Sequence, residues 1–355
     1  MQAYFIKRAL QFKTPAGTSR GVLNEKPSWF LLLKDEANNK QGIGECSVIP
    51  DLSIDKEREI EPTLEQICLA INQGTPIKPR EMAYSFPAIQ FALETALIDY
   101  QNGGHRILFP SEFTSGQESI PINGLIWMGD AQHMRNQVNQ KLEQGYGCIK
   151  LKIGAIDTDE ELSIIHELRK TYPTSKLELR VDANGAFHYD EAREVMKELA
   201  VREVHSIEQP ISSGHTEEMA KLSADSPLAV ALDEELIGLR EYRDKYQLIE
   251  AIKPQYLILK PSLLGGFNES REWIRIADDF ETGWWVTSAL ESNIGLNALA
   301  QWTYSLNVDM PQGLGTGGLF RENIGSPLEI KDARLFYNPD TPWKEDFITT
   351  STKDR

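Results

Sequence analysis

Three cysteines in 355 residues, Cys46, Cys68 and Cys148, are too few and too scattered for a disulfide framework. Their odd count and unpaired spacing fit a reducing compartment and argue against thiol catalysis. Basic charge is also short, because 37 Lys and Arg stand against 53 Asp and Glu for a net charge of −16. That balance argues against nucleic acid as a partner, since phosphate binding needs a basic footprint. No apolar run approaches the roughly 20 residues of a membrane span. The start, MQAYFIKRALQFKTP, alternates like a strand and lacks the basic, apolar and small-residue order of a signal peptide. A cytoplasmic protein without membrane partners is therefore expected. Its 41% apolar and 25% charged residues are those of a globular chain. Low-complexity segments are missing, and the six histidines (105, 133, 166, 188, 205 and 215) fall at no matched positions.

What is present is a rhythm. Five short apolar runs each close on a charge: CIKLK on Lys152, LELRVD on Asp182, VHSIE on Glu208, LAVALD on Asp233 and YLILK on Lys260. The closing residues are 30, 26, 25 and 27 positions apart (182−152, 208−182, 233−208, 260−233). Such intervals hold one strand and one crossover helix, the unit of a parallel α/β barrel, whose chemistry sits at the C-terminal strand ends. Strands are expected near 120–126, 147–153, 177–183, 203–208, 228–233, 256–260 and 284–288. Helical patterns begin at Asp159 and Tyr189, and ESNIGLNALAQWTYSL follows the seventh strand. An eighth strand near 312–314 lacks a following helix, and 328–337 returns as strands towards the first domain.

The first hundred or so residues do not keep this period. Residues 2–12, 28–34 and 41–48 read as a strand meander, and 57–72 and 88–104 as helices, together a separate α+β unit. The polar stretch 111–119 reads as its linker, and the tail 349–355 as disordered.

Strand side chains alternate faces, so parity tests whether the charges meet. Lys150 and Lys152 share a face opposite Ile149, Leu151 and Ile153; Asp233 shares one with Ala229 and Ala231, and Lys260 opposes Leu257 and Leu259. Glu208 fits less cleanly, because His205 would share the outward face with Ile207. Asp182, Glu208 and Asp233 form an all-oxygen donor set suited to a hard cation, Mg²⁺ with Mn²⁺ as a possible substitute; Asn184 lies on the same face as a neutral neighbour. Lysines 150, 152 and 260 beside a dication should have lowered pKa values, towards the roughly 7–8 of a general base. A base beside Mg²⁺ suits removal of a proton next to a carboxylate, the cation stabilising the enediolate. Taken singly, each acid reads as a helix cap or surface charge and each lysine as solvated; sharing one period and one parity, they read as a site. Gly265-Gly266 is open between a ligand approach and a plain turn.

The motifs K-x-K (Lys150, Lys152), V-D-A-N (Asp182, Asn184), I-E-Q-P (Glu208), L-D-E (Asp233) and L-K-P (Lys260) resemble those of the enolase superfamily, in its muconate-lactonizing branch. The resemblance spans the chain and implies a (β/α)7β modified TIM barrel at 117–320. It also implies an α+β capping domain at 1–116, completed by 321–355. GECSVIPDLS in the cap, TSALES (287–292) and GLGTGGLF (313–320) are most similar to the branch's dehydratases of menaquinone biosynthesis. Dipeptide epimerases carry an Asp-x-Asp after strand eight, where Gly313-Leu314-Gly315-Thr316 has no acid.

That resemblance implies syn dehydration of the cyclohexadiene carboxylate SHCHC. Lys152 would take the α-proton and return one to the departing hydroxyl. Lys260 would stay cationic, and Lys150 would contact the substrate carboxylate. A succinyl carboxylate would meet backbone amides with Thr287 or Ser288, near Gly313 and Thr316. A cap loop at Thr14–Val22, with Gly17, Arg20 and Gly21, would close over it. The partner is thus a small-molecule carboxylate, with oligomeric state left open. Racemisation of N-succinyl amino acids and lactone-forming cycloisomerisation use the same core. A Schiff-base aldolase and a non-catalytic metal-binding barrel are readings from other classes.

Overall fold

The computed structural model describes residues 1–18 and 21–346. Arg20 and the tail 349–355 lie outside the described residues. The N-terminal meander consists of strands Gln2–Thr18, Gly21–Asp35 and Lys40–Ser47 in one antiparallel sheet. Helices Glu57–Asn72 and Pro87–Gln101 follow. Their apolar faces, including Ile60, Leu64, Ile89 and Leu93, are buried with Trp29, Leu31 and Leu33 of the sheet. The closing glycines of the second helix are left-handed at Gly103 and Gly104, as a helix end requires. Of the expected cap loop, Thr14–Thr18 and Gly21–Val22 belong to the first two strands, whose register pairs Thr18 with Gly21.

The expected barrel is borne out as a curled sheet of seven parallel strands. They are Gly124–Ile126, Cys148–Lys152, Glu178–Asp182, Ser206–Glu208, Ala229–Leu232, Tyr256–Leu259 and Gly283–Val286, each paired with the next. The eighth position is short. Gln312 bridges Ile122 and Gly313 bridges Thr287, both in parallel, so residues 312–313 join the two sheet edges. Seven crossovers alternate with these strands, and no helix follows 313 before the hairpin of Leu328–Lys331 and Arg334–Tyr337.

Parity sorts the barrel into two layers. Leu151, Val181, Ile207, Val230, Leu232, Leu257, Leu259 and Val286 face outward into the main core with the helices. Ala231, Ile258 and Trp285 form a separate cluster inside the barrel. There the Arg180 guanidinium lies 4.1 Å from the centre of the Trp285 ring and floors the site.

Three local expectations change. The span 120–126 divides, because Ser119–Pro121 pairs with Arg334–Tyr337 and the barrel strand begins at Gly124. The hairpin 328–337 thus meets the barrel entrance, while the preceding segment reaches the cap through a Phe12↔Phe320 bridge. His205 precedes its strand, which starts at Ser206, and its ring packs against Tyr256 and Trp285 of the inner layer. The stretch 111–119 carries a buried Phe113, stacked on Tyr304, so it packs into the core.

Candidate active site

Strand register brings the charged ends together. Lys152 stands level with Asp182, Asp182 with Glu208, and Glu208 with Ala231. Asp233 is thus one pleat further along its strand. Lys260 follows Leu259 at the end of the neighbouring strand, whose Tyr256 is level with Ala231. This stagger is what strand tilt in a barrel produces. The lysine strands occupy the second and sixth of eight positions, so Lys152 and Lys260 face each other across the barrel.

All six charged side chains are buried. Lys150 Nζ donates to Asp182 Oδ2 at 3.0 Å and to Glu208 Oε2 at 2.7 Å. Lys152 Nζ donates to Asp182 Oδ2 at 3.0 Å and to Asn184 Oδ1 at 2.5 Å. Lys260 Nζ donates to Asp233 and stands 3.9 Å from Glu208 Oε1. Burial opposes the charge of Lys150 and Lys260, but the carboxylates around each outweigh it and raise both pKa values. The expected lowering belongs to a site in which a dication holds the acids; with acids and amines paired directly, the direction reverses. Asp182 is held low because Lys150, Lys152 and Lys260 outweigh its burial. Glu208 is pushed up by burial and by the neighbouring Asp182.

The acid set fits a hard cation. Asp182, Glu208 and Asp233 come from three adjacent strands, and Glu208 Oε1 is a buried oxygen with no hydrogen-bond partner among the described residues. The repulsion felt by Glu208 is what a dication relieves. No three acidic, His or Cys groups stand at ligating geometry among the described residues. The ammonium groups of Lys150 and Lys260 instead bridge the acids.

Above these charges is a cavity of about 360 Å³, large enough for a small carboxylic acid. Lys150, Lys152, Asp182, Asn184 and Lys260 line it, as do the candidates Thr287, Ser288, Gly313 and Thr316. Sequence reasoning missed part of the wall: Leu125 of the first barrel strand with Asn123 and Trp127 on either side of it, and Ile49–Leu52 from the cap. GECSVIPDLS was the available signal for the cap segment. Gln137 clamps Trp127, accepting from its backbone N at 2.9 Å and donating to its O at 3.0 Å. Glu234, which strand alternation alone would turn to the face opposite Asp233, is brought by a 3-10 turn at Glu234–Leu236 to accept from Asn184 Nδ2 at 3.0 Å.

The glycine pair 265–266 faces protein groups. A Cβ on Gly265 would lie 2.0 Å from Arg240 Nη1, and one on Gly266 2.0 Å from Glu94 Oε2. The three cysteines are buried, and burial pushes Cys68 up to about 11 and Cys148 to about 12, which removes them as nucleophiles. No helix among the described residues is long and apolar enough to cross a membrane.

A family model described as "Enolase C-terminal domain-like" matches residues 133–342, more than half of the chain. The chain belongs to the enolase superfamily. An o-succinylbenzoate synthase of Desulfotalea psychrophila is 45% identical, over 94% of this chain and 98% of that protein. The crystal structure of MenC from Desulfotalea psychrophila LSv54 superimposes with a TM-score of 0.85 at 42% identity, covering 95% of this chain and 99% of that one. More distantly, an N-succinylamino acid racemase of Amycolatopsis is 24% identical over 90% of this chain and 88% of that protein. A Cytophaga hutchinsonii dipeptide epimerase, solved with Mg and a dipeptide, shares the fold at a TM-score of 0.81 and 18% identity, covering 98% of this chain and 97% of that one.

Proposed function

We propose that this superfamily member catalyses the o-succinylbenzoate synthase reaction, the syn dehydration of SHCHC in menaquinone biosynthesis, as a carbon–oxygen lyase. The observation that carries it is a pair of lysines opposed across a carboxylate set, in a chain 45% identical over 94% of its length to a synthase. Asp182, Glu208 and Asp233 would hold Mg²⁺, with Mn²⁺ as a possible substitute. When bound, the cation would supply Lewis-acid stabilisation of the charge that builds on the substrate carboxylate. Lys152 takes the α-proton and returns one to the hydroxyl leaving from the same face. Lys260, opposite Lys152 across the barrel, would keep its proton and face the developing charge from the other side. Lys150, held by Asp182 and Glu208, orients the carboxylate end and adds positive charge beside Lys152. Asn184 accepts from Lys152 and fixes the direction of its amine.

The succinyl carboxylate would lie against Thr287, Ser288, Gly313 and Thr316, where no acid repels it. The same reading assigns residues 1–116 with 321–355 to a cap and 117–320 to the barrel. Arg321 N, which donates to Gln11 O at 2.8 Å, and the Arg106–Glu345 ion pair support the cap assignment, while the hairpin 328–337 pairs with Ser119–Pro121. The buried, unpaired thiols fit a cytoplasmic setting. The test is turnover of SHCHC with Mg²⁺, followed by the ultraviolet change as the ring aromatises. Lys152→Ala should lower kcat by about 10²–10⁴-fold, the usual worth of a positioned base. An inactive wild type, or a Lys152→Ala variant at full rate, would refute the reading. Racemisation of N-succinyl amino acids is the second reading, because two opposed amines also serve a two-base racemase. Deuterium uptake from solvent into N-succinyl amino acids would reveal it.

A further inference from the structure

Behind the cavity wall at Thr287–Ser288 is a buried polar chain that the reaction above does not use. Glu291 is fully buried and holds no direct ion pair among the described residues. Ser288 Oγ donates to its Oε2 at 2.5 Å, and the Ala289 backbone N donates to the same oxygen at 2.8 Å. Ser262, two residues beyond Lys260, donates to Oε1. Ser288 Oγ in turn accepts from Thr316 Oγ1 at 2.8 Å and from Leu290 N at 3.1 Å. A hydroxyl has one proton and two lone pairs. Ser288 has therefore spent its full capacity inside the protein, and Thr316 has given its proton to Ser288. Neither hydroxyl has a proton left for a carboxylate in the cavity. Thr287 Oγ1, by contrast, has no partner among the described residues.

The arrangement does not depend on the charge of Glu291. Two donors converge on Oε2, so a proton taken up by this carboxyl would sit on Oε1, against Ser262, and Ser288 would still donate. The turn bearing Glu291 is also held from the cap. Glu45 accepts from Ser292 N at 3.0 Å, from Gly295 N at 3.0 Å and from Ser28 Oγ at 2.9 Å. Fully buried Lys26 donates to Ser28 and Ser47. The cap sheet thus grips the turn at Ser292, next to Glu291, and Glu291 in turn ties that turn to Ser262 after Lys260 and to the wall of strands seven and eight.

We propose that Glu291 is a positioning residue for the succinyl arm of the substrate. By taking the Ser288 proton it locks Ser288 and Thr316 into a saturated wall, so that of the three hydroxyls only that of Thr287, buried and unbonded beside Gly313, keeps a proton to give. The role rests on the o-succinylbenzoate synthase reading. It implies that Ser288, a candidate donor by sequence, shapes the site without donating to substrate. Glu291→Ala frees the Ser288 proton and releases the turn. Glu291→Gln keeps an oxygen for Ser288 and Ala289 and turns its amide towards Ser262.

The experiment measures the affinity of the product, o-succinylbenzoate, by titration with Mg²⁺ present. SHCHC kinetics and melting temperatures are recorded for the same three proteins. Glu291→Ala should weaken product binding and raise KM by about tenfold, the worth of one buried hydrogen bond, with a much smaller change in kcat. Glu291→Gln should restore both to near wild type. A merely structural role would lower melting temperature and the active fraction, hence kcat, and leave KM and product affinity unchanged. That outcome, or wild-type affinity in Glu291→Ala, overturns the positioning role alone. A wild type that neither turns over SHCHC nor binds the product overturns the reaction and this role with it.

Discussion

Gly313 shows how a single missing side chain shapes the cavity beside Thr287. A Cβ there would lie 2.5 Å from Thr287 Oγ1 and 2.9 Å from Thr287 Cβ, closer than real side chains approach. Any larger residue must displace Thr287, and an acid would also place negative charge where the succinyl carboxylate is proposed to lie. Gly313→Asp is therefore expected to raise KM for SHCHC by about 100-fold or more, combining lost contact with like-charge repulsion. Steady-state kinetics at two salt concentrations check this, since the repulsive part should shrink as salt rises. The six charged residues show the complementary case. Each is unremarkable alone, and each is fixed by bonds to the others.

At the scale of one element, helix Phe267–Asp279 begins on a cap side chain. Glu94, from helix Pro87–Gln101, accepts from Phe267 N at 2.6 Å and from Asn268 N at 3.3 Å. Gly266 leaves the space for its carboxylate, at a left-handed φ of 104°. Burial pushes Glu94 up to about 7, and Asp55, under the start of the same cap helix, to about 7 as well. A carboxyl raised in the folded state stabilises below its unfolded pKa of about 4.3, and that stability is lost as pH rises through 7. The amount for Glu94 is about 4 kcal/mol at most, from about 1.4 kcal/mol per pKa unit. Glu94→Gln should therefore melt at a more nearly constant temperature between pH 5.5 and 8.5, with Asp55 retaining part of the slope. Thermal unfolding at the two pH values decides; an unchanged wild-type slope in the variant would count against it.

Across the whole molecule, cap and barrel are clamped by buried charge. Glu269 of the barrel accepts from Arg80 of the cap at 2.5 Å and from Lys245 at 2.6 Å, while Arg240 donates to Gln90 of the cap and to Leu264 O. Lys245 is fully buried, so removing Glu269 leaves it with Glu272 alone among its acidic partners here. Glu269→Ala should cost about 3–5 kcal/mol, the usual penalty for stripping one partner from a buried ion pair. A lower melting temperature and faster proteolysis between cap and barrel are the expected readouts. A variant that melts with the wild type would show the clamp to be energetically idle.

The barrel and the identity of its charged strand ends were legible in the residues themselves. A period of about 27 residues and a two-residue alternation are local properties of a chain, and both survive folding because strands pair with sequence neighbours. Lysines 150, 152 and 260 and acids 182, 208 and 233 could thus be named before any contact was known. Other features depended on distant segments meeting. Glu234 reaches Asn184 because the strand stops at Leu232 and a turn intervenes, and His205 faces inward because its strand starts one residue later. Gly265 and Gly266 make room for Arg240 and Glu94, partners 24 or more positions away in sequence. Which wall hydroxyl keeps a proton follows from Ser262, Thr316 and Glu45 converging on the turn of Ser288–Ser292 from three parts of the chain. Periodicity encodes which residues face a common interior; hydrogen-bond capacity and space are settled by neighbours that only the folded chain brings together.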